Sequence, residues 1–376
     1  MQKRVILSVT NDVATDQRVM RSAFTLQKMG YKVLIVGRNL PQSLTVNYPY
    51  IEVKRFKLLF NKGPLFYVFF NLRLFCFLLF NKADLLFSND LDTLWPNFLV
   101  SKIKRSKLIY DSHEYFTGVP ELAHRPFVRG VWQKIEQFIF PRLKNVITVN
   151  DSIAELFNQQ YSIKPQVVRN VPMATSPVTL SDMELENLKV PFNEKIIIMQ
   201  GSGINIDRGA EEAVEAMQYV NGAKLLIIGG GDVFALLPSL VKKWNVGDRV
   251  FIREKVAAEV LKAITAKCFV GLTLDKSTNI NYRLSLPNKL FDYLQAGIPV
   301  VASNLTEVSK IVNDYKVGTL LPNYNAKSIA EAINTLATDV DKYARLKVNA
   351  INASKKLCWE QEQCKFIEVV MAAEIN

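Results

Sequence analysis

Short runs of β-branched and other apolar residues alternate with longer stretches of helical period along the whole chain. In the first half these runs fall at Val5–Val9, Lys32–Val36, Ile51–Phe56, Asp84–Phe87, Lys107–Tyr110, Asn145–Val149 and Gln166–Val168. In the second half they fall at Lys195–Met199, Lys224–Ile228, Arg249–Ile252, Cys268–Leu274, Ile298–Ala302 and Val317–Leu321. Strands interleaved with helices predict an α/β protein with two parallel sheets of the doubly wound type. The proline-bearing segment Asn170–Glu194 reads as the linker, and Lys356–Ala373 as a last helix. Domains are therefore expected over 1–172 and 173–356. Ligands of such sheets sit beyond the carboxyl ends of the strands, so two domains facing each other would put a site in the cleft between them.

One segment breaks the alternation, the nearly unbroken apolar run Pro64–Phe80. As a helix it would be ~26 Å long, short of the ~30 Å hydrocarbon core of a bilayer. Arg73 near its middle argues further against a span. A helix buried in the first domain is the expectation. The alternative is a helix lying in a membrane interface, with Lys57, Lys62, Arg73 and Lys82 toward lipid phosphates.

At 376 residues the chain exceeds what one core usually serves. Its net charge of +12 is placed unevenly: residues 1–170 hold 24 Lys+Arg against 12 Asp+Glu, and the rest balances 23 against 23. A one-sided excess suits an anionic partner of the first half, such as a membrane surface or a lipid phosphate, or serves solubility alone. The cluster Lys102, Lys104, Arg105, Lys107 lacks interleaved aromatic residues, so no nucleic-acid partner is expected. Cys76, Cys268, Cys358 and Cys364 form no metal or disulfide pattern and fit a reducing cytosol. The first strand begins within a few residues of Met1, without the apolar region of a signal peptide.

Candidate chemistry gathers in the loops after predicted strands. Gly201-Ser-Gly-Ile-Asn-Ile-Asp-Arg-Gly209 follows one strand and precedes the amphipathic helix Ala210–Tyr219. Its glycines let backbone approach a ligand, the helix start offers N–H groups to a diphosphate, and Arg208 adds a charged fork. A plain turn is the alternative, and Ile206 at the third glycine position departs from the dinucleotide pattern. Gly229-Gly-Gly-Asp232 either admits a ligand or simply turns. Ser285–Ser303 reads as a Pro-Asn turn, a short helix opened by Pro287 and stopped at Gly297, and a strand. Lys289 at that helix start, where the dipole disfavours a cation, favours a bound anion; Asp292 can accept bonds from ribose or sugar hydroxyls. In the first half, Leu108–Phe116 carries His113 between Asp111 and Glu114, either of which can orient the imidazole or act as a base on a bound hydroxyl. A structural histidine is the alternative. Asp12 and Arg18 follow the first strand, with Thr15 or Asp16 as a helix cap, and Asp90 and Asp92 follow Asp84–Phe87 to bind hydroxyls or cap the next helix.

The wording Ser-Leu-Pro-Asn-Lys-Leu-Phe-Asp-Tyr-Leu-Gln-Ala-Gly-Ile-Pro-Val-Val-Ala-Ser at 285–303 resembles the nucleotide-sugar site of GT-B glycosyltransferases, in particular the retaining enzymes of family 4 (group 1). Tyr-Asp-Ser-His-Glu at 110–114 matches a subgroup of the same family. The resemblance runs from Arg4 to Glu362 and implies a GT-B fold whose tail helix, 357–376, packs back on the first domain. It implies transfer of a sugar from a nucleotide-diphosphate sugar to an acceptor hydroxyl with retained configuration. The implied acceptor is a glycan or lipid-linked saccharide of cell-envelope polysaccharide or glycolipid synthesis, handled in the cytoplasm or at the inner face of the membrane. His113, Arg208 and Lys289 would be catalytic. Gly201, Ser202, Gly203, Gly230, Ser285, Pro287, Asn288 and Asp292 would bind the donor. Asp12, Arg18, Asp90, Asp111 and Glu114 would lie on the acceptor side. No metal and no cofactor beyond the donor is implied. The family's two loop cations reduce to one, because Ser202 holds the first position. Its two glutamates reduce to Asp292, because Leu284 holds the other. These departures keep open a protein that binds glycan or partner without turnover, and the fold is shared by nucleotide-sugar 2-epimerases.

Overall fold

A computed structural model describes residues 2–14, 16–40, 43, 45–174 and 188–375. The middle of the expected linker and Thr15 lie outside the described residues. The chain divides into two compact units, Met1–Asn170 with Glu362–Asn376, and Val171–Gln361.

All thirteen predicted runs are strands. The first unit holds β1 (Arg4–Asp12), β2 (Lys32–Arg38), β3 (Ile51–Phe56), β4 (Leu85–Asn89), β5 (Lys107–Ser112), β6 (Asn145–Thr148) and β7 (Gln166–Val167). They form one parallel sheet in the order β3-β2-β1-β4-β5-β6-β7. The second unit holds β8 (Lys195–Gly201), β9 (Ala223–Gly229), β10 (Val250–Glu254), β11 (Val270–Thr273), β12 (Val300–Ser303) and β13 (Gly318–Leu321), in the parallel order β10-β9-β8-β11-β12-β13. Each sheet reverses its winding once, between β1 and β4 and between β8 and β11. A doubly wound sheet binds ligands beside such a reversal, because the loops on either side part there.

The helix Gly63–Phe80 corrects the expectation of a buried helix. Phe66, Phe70, Leu74 and Leu78 form its one buried stripe, packed on Ile6, Leu34, Phe56 and Leu86. The opposite face, with Leu65, Val68, Leu72 and Phe80, is apolar and exposed. By length and composition this helix is also apolar enough to cross a membrane, yet its inner stripe belongs to the core of the first unit.

The last helix, Trp359–Ile375, packs against the first unit. Phe366 meets Phe87 at 5.6 Å between ring centroids, Glu362 pairs with Arg169 at 3.3 Å, and Glu374 bonds Tyr31 and Lys3.

Candidate functional site

In the second unit the loop after β8 is held from beneath by the glycine run after β9. Gly230 donates to the Gly201 carbonyl at 3.2 Å, and Ile204 donates to the Gly230 carbonyl at 2.7 Å. A Cβ on Gly231, at φ +146°, would lie 2.4 Å from the Ile204 carbonyl oxygen. The run therefore serves first as backbone packing for the Gly201–Gly203 loop. Gly209, at φ +81°, caps the helix Ala210–Ala216, and a Cβ there would meet Leu274 at 2.4 Å. Glu211 and Glu212 fill the first turn of that helix, so its positive end already faces carboxylates, against the expected diphosphate contact.

The helix Asn288–Gln295 starts differently. Pro287 is its cap rather than its first residue, no side chain caps it, and no acidic residue lies in its first turn. Gly297 follows it at φ +70°, the left-handed conformation expected of the stop. Lys289 Nζ lies 3.5 Å from Asp275 Oδ2, and Arg208 Nη1 donates to Asp275 Oδ1 at 2.9 Å. Asp275 follows β11 and its side chain is 1% exposed. Burial alone would raise its carboxyl, but Lys289 and then Arg208 hold it below the usual carboxylate range. Burial lowers the Lys289 ammonium, Asp275 offsets this in part, and Arg208 adds to the lowering. Two cations thus share one carboxylate, and the cluster keeps an excess positive charge. The Arg208 guanidinium stacks 4.3 Å from the Tyr282 ring centre, and its Nε is buried without a hydrogen-bond partner among the described residues.

One turn on from Lys289, Asp292 accepts from Gln200 Nε2 at 3.4 Å, and Gln200 Oε1 accepts from Thr265 at 2.7 Å. The Tyr293 ring covers Gly271, where a Cβ would clash at 2.3 Å, and its hydroxyl bonds Gln200 and Leu272 backbone. This fixes the helix against β11, so that Lys289 and Asp292 stand at the strand ends with Gln200 and Gly201. Ser202, Gly203 and Asn288 are exposed nearby in sequence, and Ser285 bonds the Tyr282 carbonyl.

In the first unit, Asp90 carries a positive φ of 60°. The His113 N–H donates to its Oδ1 at 2.8 Å, and the His113 Nδ1 lies 3.2 Å from its Oδ2. The His113 Nε2 is 3.5 Å from Asp111 Oδ2. Burial would lower the imidazole, but Asp90 and then Asp111 raise it to about 9. His113 is therefore a cation at neutral pH, not a free base. Arg18 corrects an expectation. Its Nε and Nη2 bond both oxygens of Asp111, at 2.9 and 2.6 Å, and Nη1 bonds the Val168 carbonyl at 3.0 Å. Both partners are buried, so this pair braces His113 from below and presents nothing to an acceptor. Asp12 is likewise turned aside, accepting from Ala14 and pairing with Arg55 at 3.7 Å. The capping residue is Asp16, which accepts from Val19 at 3.1 Å.

Asp90, Asp92 and Glu114 do line a common pocket of about 390 Å³ at the carboxyl ends of β1 and β4. Thr10 donates to Asp92 Oδ2 at 2.5 Å. Burial, helped by Asp90, pushes the Asp92 carboxyl up to about 7. Four contributors to these two places escaped the sequence reading: Asp275, Gln200, Tyr282 and Arg38. Asp275 directly follows a predicted strand, the signal that singled out the other loops. Gln200 and Arg38 lie in the last residues of β8 and β2, just beyond the runs Lys195–Met199 and Lys32–Val36 read from the sequence.

The group 1 glycosyl transferase profile matches residues 184–353, and the family 4 glycosyltransferase profile matches 17–175. The chain belongs to the group 1, family 4-like glycosyltransferases and has the GT-B fold of two parallel-sheet α/β domains. A D-inositol 3-phosphate glycosyltransferase of Xylanimonas cellulosilytica is 22% identical over 217 residues, 54% of this chain and 48% of that protein. The chain thus matches about half the length of that curated relative. The sucrose-phosphate synthase of Thermosynechococcus elongatus superposes with a TM-score of 0.80 at 18% identity, covering 99% of both chains. Anabaena HepE, solved with UDP and glucose, superposes with a TM-score of 0.76 at 15% identity over 98% of this chain and 100% of that one. At these identities the two structures establish a shared fold.

Proposed function

We propose that this protein transfers a sugar from a nucleoside-diphosphate sugar to an acceptor hydroxyl with retained anomeric configuration. The observation that carries the reading is the Arg208–Asp275–Lys289 cluster at the winding reversal of the second sheet. Its uncompensated cation suits a diphosphate, both bound and as leaving group. Asp292, one turn along, would take the ribose hydroxyls, and the exposed backbone of Gly201–Gly203 would allow close approach. When the anomeric C–O bond breaks, the electron pair leaves with the diphosphate, the acceptor oxygen bonds the anomeric carbon on the same face, and its proton passes to the departing diphosphate oxygen. His113, held as a cation, would support charge at the donor sugar rather than remove a proton. UDP is the first nucleotide to expect, since HepE was solved with it. The acceptor would be a glycan or lipid-linked saccharide of envelope synthesis. The first unit would work in the cytoplasm at an anionic membrane surface, supported by the excess charge of +12 over residues 1–170 and the exposed face of helix Gly63–Phe80.

Calorimetric titration of UDP, GDP and ADP into wild type and Arg208→Ala tests this. One nucleotide is expected to bind at micromolar level, roughly tenfold or more weaker in the variant, a loss of about 1.4 kcal/mol or more. A folded protein that binds none of the three ends the transferase reading. Leu284 and Ser202, where the family carries ionised side chains, favour a second reading of donor binding without turnover. Tight nucleotide binding with no hydrolysis or transfer would select it.

A further inference from the structure

The first-unit pocket carries two unmet demands. At its buried end, Asn89 Oδ1 and Asp92 Oδ1 are buried acceptors without a hydrogen-bond partner among the described residues. Both side chains are fixed by their other atoms: Asn89 Nδ2 donates to the Ser8 carbonyl at 3.0 Å, and Asp92 Oδ2 accepts from Thr10. Buried acceptors so held are costly unless a ligand brings donors, and clustered hydroxyls are the donors of a sugar or polyol. Tyr67 and Phe116 add an aromatic wall, each packed edge-on to Trp132 at 5.3 and 5.2 Å between centroids.

The second demand is for an anion. Arg38 and Lys62 line the same pocket, and neither makes an ion pair among the described residues. Among the described residues Arg38 donates to the Asn61 carbonyl, at 3.3 Å, and its Nε is buried without a hydrogen-bond partner. Here too begins the helix Gly63–Phe80, with no side-chain cap and no acidic residue in its first turn, and with Gly63 and Phe66 on the pocket wall. The helix dipole and two cations that make no ion pair among the described residues favour a group of multiple negative charge. Of the pocket's carboxylates, Asp90 is held by His113, and Asp92 is the one that feels the charge of Arg38, though its burial still raises it to about 7.

We infer that this pocket selects an acceptor carrying a phosphoryl group on a hydroxylated ring, with Arg38, Lys62 and the helix start holding the phosphoryl group and Asn89 and Asp92 the ring hydroxyls. The inference rests on the transferase reading and names the acceptor class of that reaction. Arg38 is then a specificity-determining residue.

The test is calorimetric binding of glucose 1-phosphate, glucose 6-phosphate, N-acetylglucosamine 1-phosphate and myo-inositol 1-phosphate, each against its unphosphorylated parent. Wild type, Arg38→Ala and Lys62→Ala are compared at matched salt, with UDP titrated into each sample. At least one phosphorylated ligand is expected to bind tenfold or more tighter than its parent. Arg38→Ala should remove most of that preference while leaving UDP affinity within twofold. No binding of any phosphorylated ligand, equal binding of a ligand and its parent, or a preference that survives both substitutions overturns the inference. Inorganic phosphate binding as tightly as the best sugar phosphate also overturns it, since the ring then contributes nothing. Retained UDP binding in any of these results leaves the donor reading standing, and lost UDP binding in wild type fails that reading separately.

Discussion

At the scale of single residues, the two charged clusters divide their labour by burial. Asp111 is spent on Arg18, a buried bidentate pair whose removal on one side alone would leave an unpaired charge. Asp90 and then Asp111 hold His113 as a cation, against its burial and the nearby charge of Arg18. Asp92 stands in the opposite regime. Its carboxyl titrates at about 7 in the folded protein, against ~3.9 in an unfolded chain. Between these values the folded state keeps a proton that the unfolded state has lost, so this group's contribution to stability falls as pH rises from about 4 to about 7. Asp92→Asn removes that slope. Urea denaturation at pH 5 and pH 8 should show the variant gaining on wild type toward pH 8, by on the order of 1 kcal/mol or more. An identical pH dependence in the two proteins would mean that Asp92 is ionised in the folded state.

At the scale of elements, the helix Gly63–Phe80 is apolar on two faces for two reasons. The stripe of Phe66, Phe70, Leu74 and Leu78 recurs every four residues and fills the groove over β1, β2, β3 and β4. The face of Leu65, Val68 and Leu72 recurs at spacings of three and four and stays exposed. An exposed apolar face on a helix flanked in sequence by Lys57, Lys62 and Lys82 has the pattern of an interfacial helix. Val68 and Leu72 are 59% and 60% exposed, so replacing both with Asp should leave the unfolding midpoint nearly unchanged. The same change should sharply reduce co-sedimentation with phosphatidylglycerol vesicles. Equal sedimentation of the double variant would remove this face from membrane binding. A contrasting element is the run Gly229–Gly231, whose missing side chains make room for the Gly201–Ile204 backbone.

At the scale of the whole molecule, the chain's end belongs to its beginning. Phe366, Val370 and Ala373 are buried, and Glu362–Asn376 groups with residues Met1–Asn170. Truncation after Gln361 uncovers Phe87 and leaves Arg169 without its carboxylate. The first unit should lose roughly 3–5 kcal/mol or more, the cost of deleting a large buried aromatic side chain. The second unit should keep its own transition and its nucleotide affinity. Thermal unfolding followed with and without nucleotide would separate the two, and an unshifted first-unit transition would show that the tail is dispensable for stability. Charge follows the same division only in part: residues 1–170 hold an excess of +12, and the tail, with three Glu against one Lys, lowers the first unit's balance.

The chain by itself determined its strands, because an apolar run of three to seven residues between helical patterns has few other ways to be buried. It also marked the loop that carries His113 and the helix start that carries Lys289 and Asp292, since polar residues beyond a strand end sit where a parallel sheet opens. The stop at Gly297 was legible because only a left-handed residue suits that turn. What it could not determine is who pairs with whom. Asp275 joins Arg208 and Lys289 across 67 and 14 positions, and Arg18 reaches Asp111 across 93. Such partners meet only when strands distant in sequence lie side by side. The folded sheets therefore decided that Arg18 braces while Arg208 stays available, and that one face of a uniformly apolar helix is core while the other remains bare. Identical residue types received opposite roles because burial and counter-charge are properties of place, which local pattern does not encode.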